Sequence, residues 1–581
     1  MTSNPNSQPS RLVRRTVPTH ALPATLHPVL QRVLAARGVV DAAALELSMA
    51  GLLRTDQLGG IDSAVALLVE ALQAEEKIVF VADFDADGAT SCALGVRALI
   101  ACGATQVDYV VPNRFEYGYG LTPPIVELVV ARGANLIVTV DNGISSVQGV
   151  AVARSAGLKV LITDHHLPGA KLPQANAIVN PNMAGDEFPS KALAGVGVIF
   201  YVMLALRAEL RRIGWFAEKG RSDPNFGELL DLVALGTVAD VVPLDANNRR
   251  LVAQGLARIR SGRCQAGIAA LLKVAGRDPK RLLASDLAFA IGPRLNAAGR
   301  LADMSLGIEC LLSDDPPRAL AMAGELDSLN QQRRDIERDM KLQALDLLAQ
   351  DRLDGKPLAY GLCLFDPTWH QGIIGVVAGR IKELYHRPVV AFALTGVDEL
   401  KGSARSIPGA HVRDILDTIA ATHPDLLSRF GGHAMAAGLS LRAQDLPRFE
   451  LAFNEAIARH VDASAFESWI YTDGDIPPED MNLGLARVLS EAMPWGQAFP
   501  EPLFEGEFEI HERRVVGNDH LRLLLGFKTA SQKIAAIAFN AASAPWATAT
   551  TIRAAYRLAV NEYQGRETVQ LQIEHAELVS G

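Results

Sequence analysis

The sequence predicts an α/β protein of several domains. We expect a doubly wound, mostly parallel sheet, a long connecting helix, a second and smaller α/β domain, and a small β-barrel at the carboxyl end. Short apolar runs alternate with helical segments from residue 77 onwards, which indicates the parallel sheet. A run without Gly or Pro over 325–353 indicates the connecting helix. After residue 465, short β-like pieces alternate with turns, which is typical of a barrel.

Length and composition limit the classes of protein to consider. A chain of 581 residues is too long for one core, and 49% hydrophobic with 21% charged residues is an ordinary globular mixture. A net charge of −9 argues against coating nucleic acid by bulk charge, but not against a local basic groove or bound metal. Five scattered cysteines without a CxxC pair argue against disulfides and thiolate zinc. Without an apolar leader or an 18-residue apolar run, we expect a cytoplasmic protein.

Five segments are expected along the chain. They are a tail and helical prelude over 1–76, the doubly wound domain over 77–313, the connector helix over 314–355, the smaller α/β domain over 356–462 and the barrel over 463–581. The first ten residues or so are expected to be disordered. Residues 190–312 look mainly helical. Strand candidates are 78–81, 108–111, 136–140, 160–163, 177–179, 362–365, 389–392, 507–512, 521–527, 534–539, 555–560 and 569–573.

The most informative stretch, DFDADG over 83–88, follows the first apolar strand candidate. If strand geometry continues through it, the carboxylates of Asp83, Asp85 and Asp87 point to one side. Three anions on one face repel each other unless cations lie between them. The motif therefore predicts a metal site at the carboxyl end of a parallel strand, where open α/β sheets bind ligands.

Further polar groups follow other strand candidates or an apolar run. They are Asp141 in DNG, the DHH triplet over 164–166, and Asp240. Taken singly, DNG is more often a turn, Asp240 a helix cap, and the adjacent histidines one surface and one core residue. Together they favour two divalent cations, Mn²⁺ or Mg²⁺, because carboxylates suit both ions and an imidazole favours Mn²⁺. Such a pair of ions is suited to hydrolysis of phosphodiesters or phosphoanhydrides.

These motifs, in this order, resemble the DHH phosphoesterase superfamily. Residues 430–433 (FGGH) resemble the glycine-rich signature of its associated second domain, DHHA1. The segments PNRF (112–115), GPRLNAAGR (292–300) and WHQG (369–372) resemble one branch more narrowly, the RecJ family of bacteria. That resemblance implies a 5′→3′ exonuclease specific for single-stranded DNA, which releases 5′ mononucleotides in recombination and repair. It also implies that the carboxyl-terminal barrel is an OB-like domain.

The resemblance further implies roles for individual side chains. Asp141 is expected to bridge two metals, His166 to touch the scissile phosphate, and Asp164 to orient an imidazole. Many relatives carry a histidine where this chain has Val81. The expected metal ligands are Asp83, Asp85, Asp87, Asp141, His165 and Asp240, and with His166 they form the expected catalytic set.

Contacts to the nucleic acid are expected from arginines, aromatic rings and glycines. An Arg grips phosphate in a fork, rings stack on bases, and residues 401–406 (KGSARS) have the composition of an anion nest. A histidine beside two glycines is about as often structural as phosphate-binding. The candidates are Arg114, Phe115, Tyr119, Arg294, Asn296, Arg300, Ser403, Arg405, Gly431, Gly432 and His433, with Arg513, Arg514, His520 and Arg522 on the barrel.

Two other functions stay open at this point. A related phosphoesterase acting on short oligonucleotides, cyclic dinucleotides or pyrophosphate shares the metal motifs, although most lack a barrel. A single-strand-binding module with a structural or inactive metal site is the other, and the intact set of acids argues against it. For the exonuclease, the resemblance implies single-stranded DNA as substrate and single-strand-binding protein and a RecQ-like helicase as partners. We expect a monomer without membrane contact.

Overall fold

The structure, a computed structural model, describes residues 11–113, 115–353, 358–517, 519–528 and 530–579. The tail expected over residues 1–10 lies outside the described part. The chain divides into two compact units. The first unit comprises Pro18–Asn330 and Val488–Glu501, and the second comprises the residues up to Val17, Gln331–Arg487 and the residues from Pro502 onwards.

Helices make up most of the first unit and connect it to the second. A π-helical turn, Leu287–Ile291, runs directly into one of them. The α-helices are α1 Pro28–Ala35, α2 Ile61–Gln73, α3 Ala86–Cys102, α4 Pro123–Ala131, α5 Val147–Ser155, α6 Gly195–Arg212, α7 Trp215–Glu218, α8 Leu230–Ala239, α9 Ala246–Arg260, α10 Ala266–Val274, α11 Ala284–Asp286, α12 Gly292–Leu301, α13 Ser305–Leu312, α14 Pro316–Leu353, α15 Ile374–Tyr385, α16 Val412–Thr422, α17 Leu446–His460 and α18 Leu483–Glu491. Short 3₁₀ turns cover Ala43–Leu45, Met49–Gly51, Thr55–Gln57, Phe226–Leu229, Pro279–Arg281, Ala443–Asp445, Ala463–Phe466 and Pro478–Asp480.

The strands form two open sheets, one barrel and one isolated pair. They are β1 Arg11–Arg14, β2 Ile78–Ala82, β3 Val107–Val110, β4 Leu136–Val140, β5 Lys159–Thr163, β6 Ala177–Val179, β7 Leu362–Phe365, β8 Val389–Leu394, β9 Glu399–Arg405, β10 Arg429–Gly432, β11 Ala436–Arg442, β12 Trp469–Thr472, β13 Phe504–Val516, β14 His520–Phe527, β15 Ala530–Ala538, β16 Thr551–Tyr563 and β17 Arg566–Leu578. The isolated pair joins β1 to β12 in parallel.

The sheet of the first unit is parallel throughout. Its order is β3-β2-β4-β5-β6, so the chain moves outward in one direction from β2 and then in the other from β4. Open α/β sheets bind ligands beyond the carboxyl ends of the two strands where the order reverses. The first acidic motif follows β2, and DNG follows β4, so both lie at this point.

The central strands are apolar because helices cover both faces of the sheet. Every residue of β2 and β4 is buried, which explains their continuous apolar sequences. Val79 and Val81 pack in one cluster with Val126 of α4 and with residues of α5. On the opposite face, Phe80 lies against Gly95 of α3, where an added Cβ would be 2.6 Å from the ring. Helix α3 is thereby held tightly against β2, so its first turn has a fixed position at the sheet edge.

The second unit contains a mixed sheet of order β10-β11-β9-β8-β7. β7 and β8 are parallel, and the other neighbours are antiparallel. One face packs on α16 and α17 through a core that includes Phe392, Phe449 and Phe453. The rings of Phe449 and Phe453 are stacked with centroids 5.6 Å apart. This core fixes the position of the sheet, and the polar residues of β9 lie outside it.

The last strands of the second unit close into a barrel of order β13-β14-β15-β17-β16, with β13 also paired to β16. β15 and β17 are parallel, and the other neighbours are antiparallel. The interior is filled by aromatic rings, and Phe508 meets Tyr556 edge-on at 5.4 Å between centroids. Closure removes the free sheet edges that would otherwise promote aggregation.

The predicted fold class is confirmed, with the parallel sheet, the long helix, the smaller α/β domain and the barrel all present. The sequence did not reveal β9, β10 and β11, because glycine, alanine and charged residues interrupt their apolar alternation. Within the described residues, no helix is both long and apolar enough to cross a bilayer.

Candidate metal centre

The carboxylates of the first motif do not alternate along a strand, so that expectation is wrong. β2 ends at Ala82, and Asp85 is the N-cap of α3. Its Oδ1 accepts hydrogen bonds from the backbone N–H groups of Asp87 and Gly88, both at 3.0 Å. The helix therefore begins inside the motif, because a capping Asp satisfies N–H groups that lack partners in the first turn. Asp83 precedes the helix and Asp87 lies within its first turn.

A second helix end holds Asp87, and sequence reasoning missed it. The backbone N–H of Gly195 donates to Asp87 Oδ2 at 2.6 Å, and that of Val196 donates to Oδ1 at 2.9 Å. These are the first residues of α6, whose own N-cap, Ala194, has no capping side chain. The buried carboxylate thus takes the place of a cap and sits at the positive end of the helix dipole. The sequence signal was the glycine-containing start of an uncapped apolar helix.

Asp141 is held in a conformation that costs energy. Its φ is 62°, in the left-handed region that residues other than glycine seldom adopt. The next residue, Asn142, is buried and donates from Nδ2 to the carbonyls of Val81 and Val140. An added Cβ on Gly195 would lie 2.6 Å from Asp141 Cβ and 2.8 Å from its Oδ1. The carboxylate is therefore fixed from both sides, by the turn after β4 and by the start of α6.

The DHH triplet contains one carboxylate that orders the other two residues. Asp164 Oδ1 accepts from the backbone N–H groups of His165 and His166 and lies 2.8 Å from His166 Nδ1. Its Oδ2 accepts from the N–H of Ile144 at 2.9 Å. Burial opposes the charged form of Asp164, but these bonds and the histidines outweigh it, so the pKa of Asp164 is lowered. Asp164 thus acts as a fixed anion that orients the His166 ring.

Seven predicted side chains converge beyond the carboxyl ends of β2, β4 and β5. His165 Nε2 lies 3.1 Å from Asp141 Oδ1 and 3.5 Å from Asp240 Oδ2, and Asp240 follows α8 directly. Potential ligand atoms within 4.8 Å of one another form three groups, which are Asp83 with Asp85 and Asp141, Asp141 with His165 and His166, and Asp87 with His165 and Asp240. Asp141 and His165 each belong to two groups, as expected for neighbouring ion positions with shared ligands.

The buried carboxylates of these groups repel one another, so their charged forms require nearby positive charge. Burial and the charges of neighbouring carboxylates raise the pKa of Asp141 and of Asp240 well above the ordinary range. Burial and Asp85 raise the pKa of Asp87 to about 7, even though two backbone N–H groups favour its anion. Among the described residues, Asp141 Oδ1 is buried and accepts no hydrogen bond. Oxygen and nitrogen donors that are buried, crowded and mutually repelling fit divalent cations.

Tyr119 and Phe115, two of the expected nucleotide contacts, lie on the loop before α4. The Tyr119 hydroxyl donates to the carbonyl of Asp141 at 3.2 Å and lies 3.4 Å from His166 Nδ1. Its ring meets Phe84 and His166 edge-on, at 6.0 and 5.9 Å between centroids. Phe115 is partly exposed. Arg114 lies outside the described residues.

The expected contacts on α12 have different surroundings. Asn296 Oδ1 accepts from the backbone N–H of Ala86 at 2.8 Å, so this side chain supports the first motif. Arg294 is buried and its guanidinium pairs with Asp327 at 2.8 Å. Arg300 is half-buried near the end of the helix. The structure thus places Asn296 beside the acidic cluster and Arg294 in an ion pair of the same unit.

Residues 401–406 do not form the expected anion nest. Residues 399–405 form β9, which pairs with β8 on one side and β11 on the other, so its backbone N–H groups serve the sheet. Ser403 and Arg405 still point to the same face, and Arg405 Nη1 donates to Ser403 Oγ at 3.1 Å. An added Cβ on Gly375, the second residue of α15, would lie 2.7 Å from Ser403 Oγ. Hydroxyl and guanidinium therefore lie together at a helix start.

The glycine-rich signature lies on β10, beside that face. Gly431 is opposite Gly438, which is opposite Ser403. An added Cβ on Gly431 would meet nothing within 4 Å, whereas at Gly432 it would lie 2.4 Å from Ala437 Cα. Gly432 also has a φ of 143°, so packing and conformation require glycine there. His433 is exposed just after the strand.

On the barrel, the four basic candidates differ in the groups that their side chains contact. Arg513 donates to the carbonyls of Ala547 and Ala549. Arg514 and Arg522 lie directly opposite each other on β13 and β14. Like charges in such a cross-strand pair are unfavourable unless an anion lies between them. The His520 ring accepts a hydrogen bond from the N–H of Asn540.

Three family models match the chain. The DHH family, N-terminal domain, matches residues 77–237, the DHHA1 domain matches 355–459, and the RecJ OB domain matches 472–575. The single-stranded-DNA-specific exonuclease RecJ of Dickeya dadantii is 52% identical over 97% of this chain and 99% of its own. The protein of the same name from Escherichia coli is 51% identical over 98% of this chain and 99% of its own.

Solved structures agree with these matches. The crystal structure of RecJ from Thermus thermophilus in complex with Mn²⁺ superposes with a TM-score of 0.77 at 30% identity, covering 98% of this chain and 80% of that one. The complex with Mg²⁺ from the same organism gives a TM-score of 0.73 at 29% identity, covering 95% of this chain and 75% of that one.

The close approach at Gly195 gives a first prediction. Gly195→Ala places a methyl group against Asp141, and overpacking of this kind costs about 1–3 kcal/mol. We expect weaker binding of Mn²⁺, measured by isothermal titration calorimetry. Gly324→Ala is the matched control, because nothing lies within 4 Å of a Cβ there. Unchanged Mn²⁺ affinity in Gly195→Ala would show that Asp141 is not part of the binding site.

Mutual repulsion of the carboxylates gives a second prediction. Mn²⁺ at 100 times its dissociation constant should stabilise the protein by about 2.7 kcal/mol, seen as a higher melting temperature. Asp141→Asn should lose most of this stabilisation, because a ligand shared by two groups is removed. Asp108→Asn, a carboxylate of β3 that pairs with Arg132 at 3.0 Å, is the control and should keep it. Equal metal-induced shifts in both variants would contradict the assignment.

Proposed function

The chain belongs to the RecJ family of single-stranded-DNA-specific exonucleases, and from this membership we propose that it removes nucleotides one at a time from the 5′ end of single-stranded DNA. The products are 5′ mononucleotides, and the process is DNA recombination and repair. The observation that carries the proposal is the convergence of Asp83, Asp85, Asp87, Asp141, His165 and Asp240 at the switch point of a parallel sheet. Two divalent cations, Mn²⁺ or Mg²⁺, are held by these six residues.

The residues of the centre divide the catalytic task. When bound, the cations neutralise the phosphodiester and activate water for attack on phosphorus. Asp141 and His165 would serve as ligands at both ion positions, because each belongs to two groups of potential ligand atoms. His166 faces the scissile phosphate. Burial opposes its charged form, but the hydrogen bond to Asp164 and the nearby carboxylates raise the pKa of His166, which favours the cationic ring beside an anionic substrate.

The second unit recognises the strand end. Ser403 and Arg405 bind the 5′ phosphate, and their position at the start of α15 supports this role because helix amino-termini favour anions. The open backbone at Gly431 lets the strand approach the sheet closely, and His433 contacts a phosphate there. In the first unit, Arg114 and Arg300 contact phosphates and Phe115 and Tyr119 contact nucleotides, while Asn296 and Arg294 support the site.

The barrel binds single-stranded DNA by base stacking and by charge along the backbone. Arg514 and Arg522 are the best-supported contacts, because a phosphate between these opposed cations would relieve their repulsion. The protein acts as a monomer in the cytoplasm, and its partners are single-strand-binding protein and a RecQ-like helicase.

Two alternatives make different predictions. A phosphoesterase for dinucleotides would hydrolyse short substrates and leave long strands intact, but the closed barrel favours long strands. A binding module without catalysis would bind DNA regardless of metal and release no nucleotide. Digestion of one 5′-labelled single strand, with and without Mn²⁺, separates all three functions.

Asp141→Ala tests the role of the metal centre in cleavage. Loss of a group that merely supports a ligand costs about 10–100-fold in activity, so removing a ligand shared by two positions should reduce nucleotide release more than about 100-fold. The far-ultraviolet circular dichroism spectrum should be unchanged. The measurement is mononucleotide release from single-stranded DNA with Mn²⁺, and full activity in a folded variant would rule out the two-metal mechanism.

Arg405→Ala tests recognition of the strand end. Hydrogen bonds to charged groups contribute about 1.5–3 kcal/mol, so preference for 5′-phosphate over 5′-hydroxyl ends should fall by roughly tenfold to a hundredfold. The measurement is the ratio of kcat/KM for the two strand ends. Arg459→Ala, which removes an exposed cation from α17, controls for net charge. The same preference in both variants would reject this role.

A further inference from the structure

Two irregular pieces of backbone lie near the carboxyl end of α8, where Asp240 is the C-cap. The first is Val241, the next residue, whose φ is 61°. A β-branched residue in the left-handed region is a true conformational outlier. The second is the π-helical turn Leu287–Ile291, a geometry that is rare and often found at functional sites. The π turn packs on α8, and an added Cβ on Gly292 would lie 3.1 Å from Ala239 Cβ.

Each irregular piece presents an apolar side chain to solvent. Phe289 is 77% exposed and Val241 is 60% exposed. The neighbours of Phe289 in the π turn, by contrast, are buried or half-buried. Arg294 braces this turn, since its guanidinium donates to the carbonyl of Ala290 and pairs with Asp327. The exposed phenyl ring therefore projects from a helical turn whose backbone is held by Arg294.

The support for Phe289 continues into the metal centre. The π turn runs into α12, whose Asn296 accepts the hydrogen bond from Ala86 in the first acidic motif. Seven residues of helix span about 10 Å, so Phe289 lies at a distance of a few nucleotides from the acids. An uncharged ring cannot bind a phosphate, but its face matches the face of a nucleobase.

We propose that the ring of Phe289 forms an apolar step that stacks on an unpaired base of the strand entering the metal centre. The step rests on the proposed function, since it needs single-stranded DNA at this site. It adds a source of selectivity for single strands. A base in a duplex is stacked on its own neighbours and paired at its edge, so it offers the ring no free face.

The test compares variants of Phe289 in the Mn²⁺-loaded protein. Base stacking on an aromatic ring is worth about a tenfold change in affinity by alanine substitution. For the first cleavage of 5′-phosphorylated oligothymidylate, Phe289→Ala should raise KM about tenfold and leave kcat within about twofold. Phe289→Trp should restore the KM of the unaltered protein, whereas Phe289→Leu should not. In the Phe289→Trp variant, binding of oligothymidylate should also quench the fluorescence of the introduced side chain. Ile100→Ala, an exposed apolar residue near the far end of α3, should match the unaltered protein.

A scan with abasic strands identifies the contact. One abasic position is moved along the oligonucleotide, and the KM penalty of Phe289→Ala should disappear when the stacked base is the missing one. An unchanged KM, equal rescue by Leu and Trp, or a penalty that no abasic position removes would each overturn the step. In those cases the unaltered protein still digests single strands, so the proposed function stands. If the unaltered protein releases no nucleotide, both proposals fall.

Discussion

The metal centre depends on confining more carboxylates to one buried place than uncompensated charge would allow. For some of these carboxylates, hydrogen bonds from the protein stabilise the buried negative charge. Asp164 accepts backbone N–H groups and a histidine, and its pKa falls despite burial. For Asp141 and Asp240, burial and the repulsion of neighbouring carboxylates prevail and raise the pKa of each. The opposite directions of these pKa shifts distinguish Asp164, which orders the neighbouring backbone, from Asp141 and Asp240, which are suited to hold cations.

Glycines and helix ends make this confinement possible. The backbone at Gly195 approaches Asp141 so closely that a Cβ would lie within 3 Å of it, and the same residue donates to Asp87. At Gly299 of α12, a Cβ would lie 1.9 Å from the carbonyl oxygen of Phe84. Three helices thus converge on the motif after β2. The starts of α3 and α6 contact the acids directly, and α12 packs on the backbone at Phe84, so small displacements of one helix change the positions of the acids.

Sequence patterns were sufficient where local rules decide the structure. Strand β4 has the bounds that its sequence predicts, and helix α14 lies within the connector predicted over 314–355, because largely apolar runs and long stretches without Gly or Pro leave few alternatives. The acids at strand ends could be grouped because parallel strands deliver their carboxyl ends to one edge. The convergence of the acids at the strand ends follows from the parallel topology, which the sequence alone predicts.

Long-range packing decided what the sequence could not reveal. Residues 401–406 have a loop-like composition, yet two neighbouring strands draw them into a sheet and consume the N–H groups that a nest needs. Arg294 carries the charge expected of a phosphate contact, but Asp327 comes close only after α12 and α14 pack. Composition records which groups can bind an anion. Whether they remain available depends on partners that are distant in the sequence.

The surroundings of Asp240 depend both on local sequence rules and on long-range packing. It is the C-cap of α8, and the next residue, Val241, lies in the left-handed region with a φ of 61°. A glycine at position 241 would adopt that conformation without strain. The valine keeps the strain and adds an exposed apolar surface next to Asp240, an expected metal ligand. Strain retained where a simpler residue would serve is more readily explained by a contact with substrate than by stability of the fold.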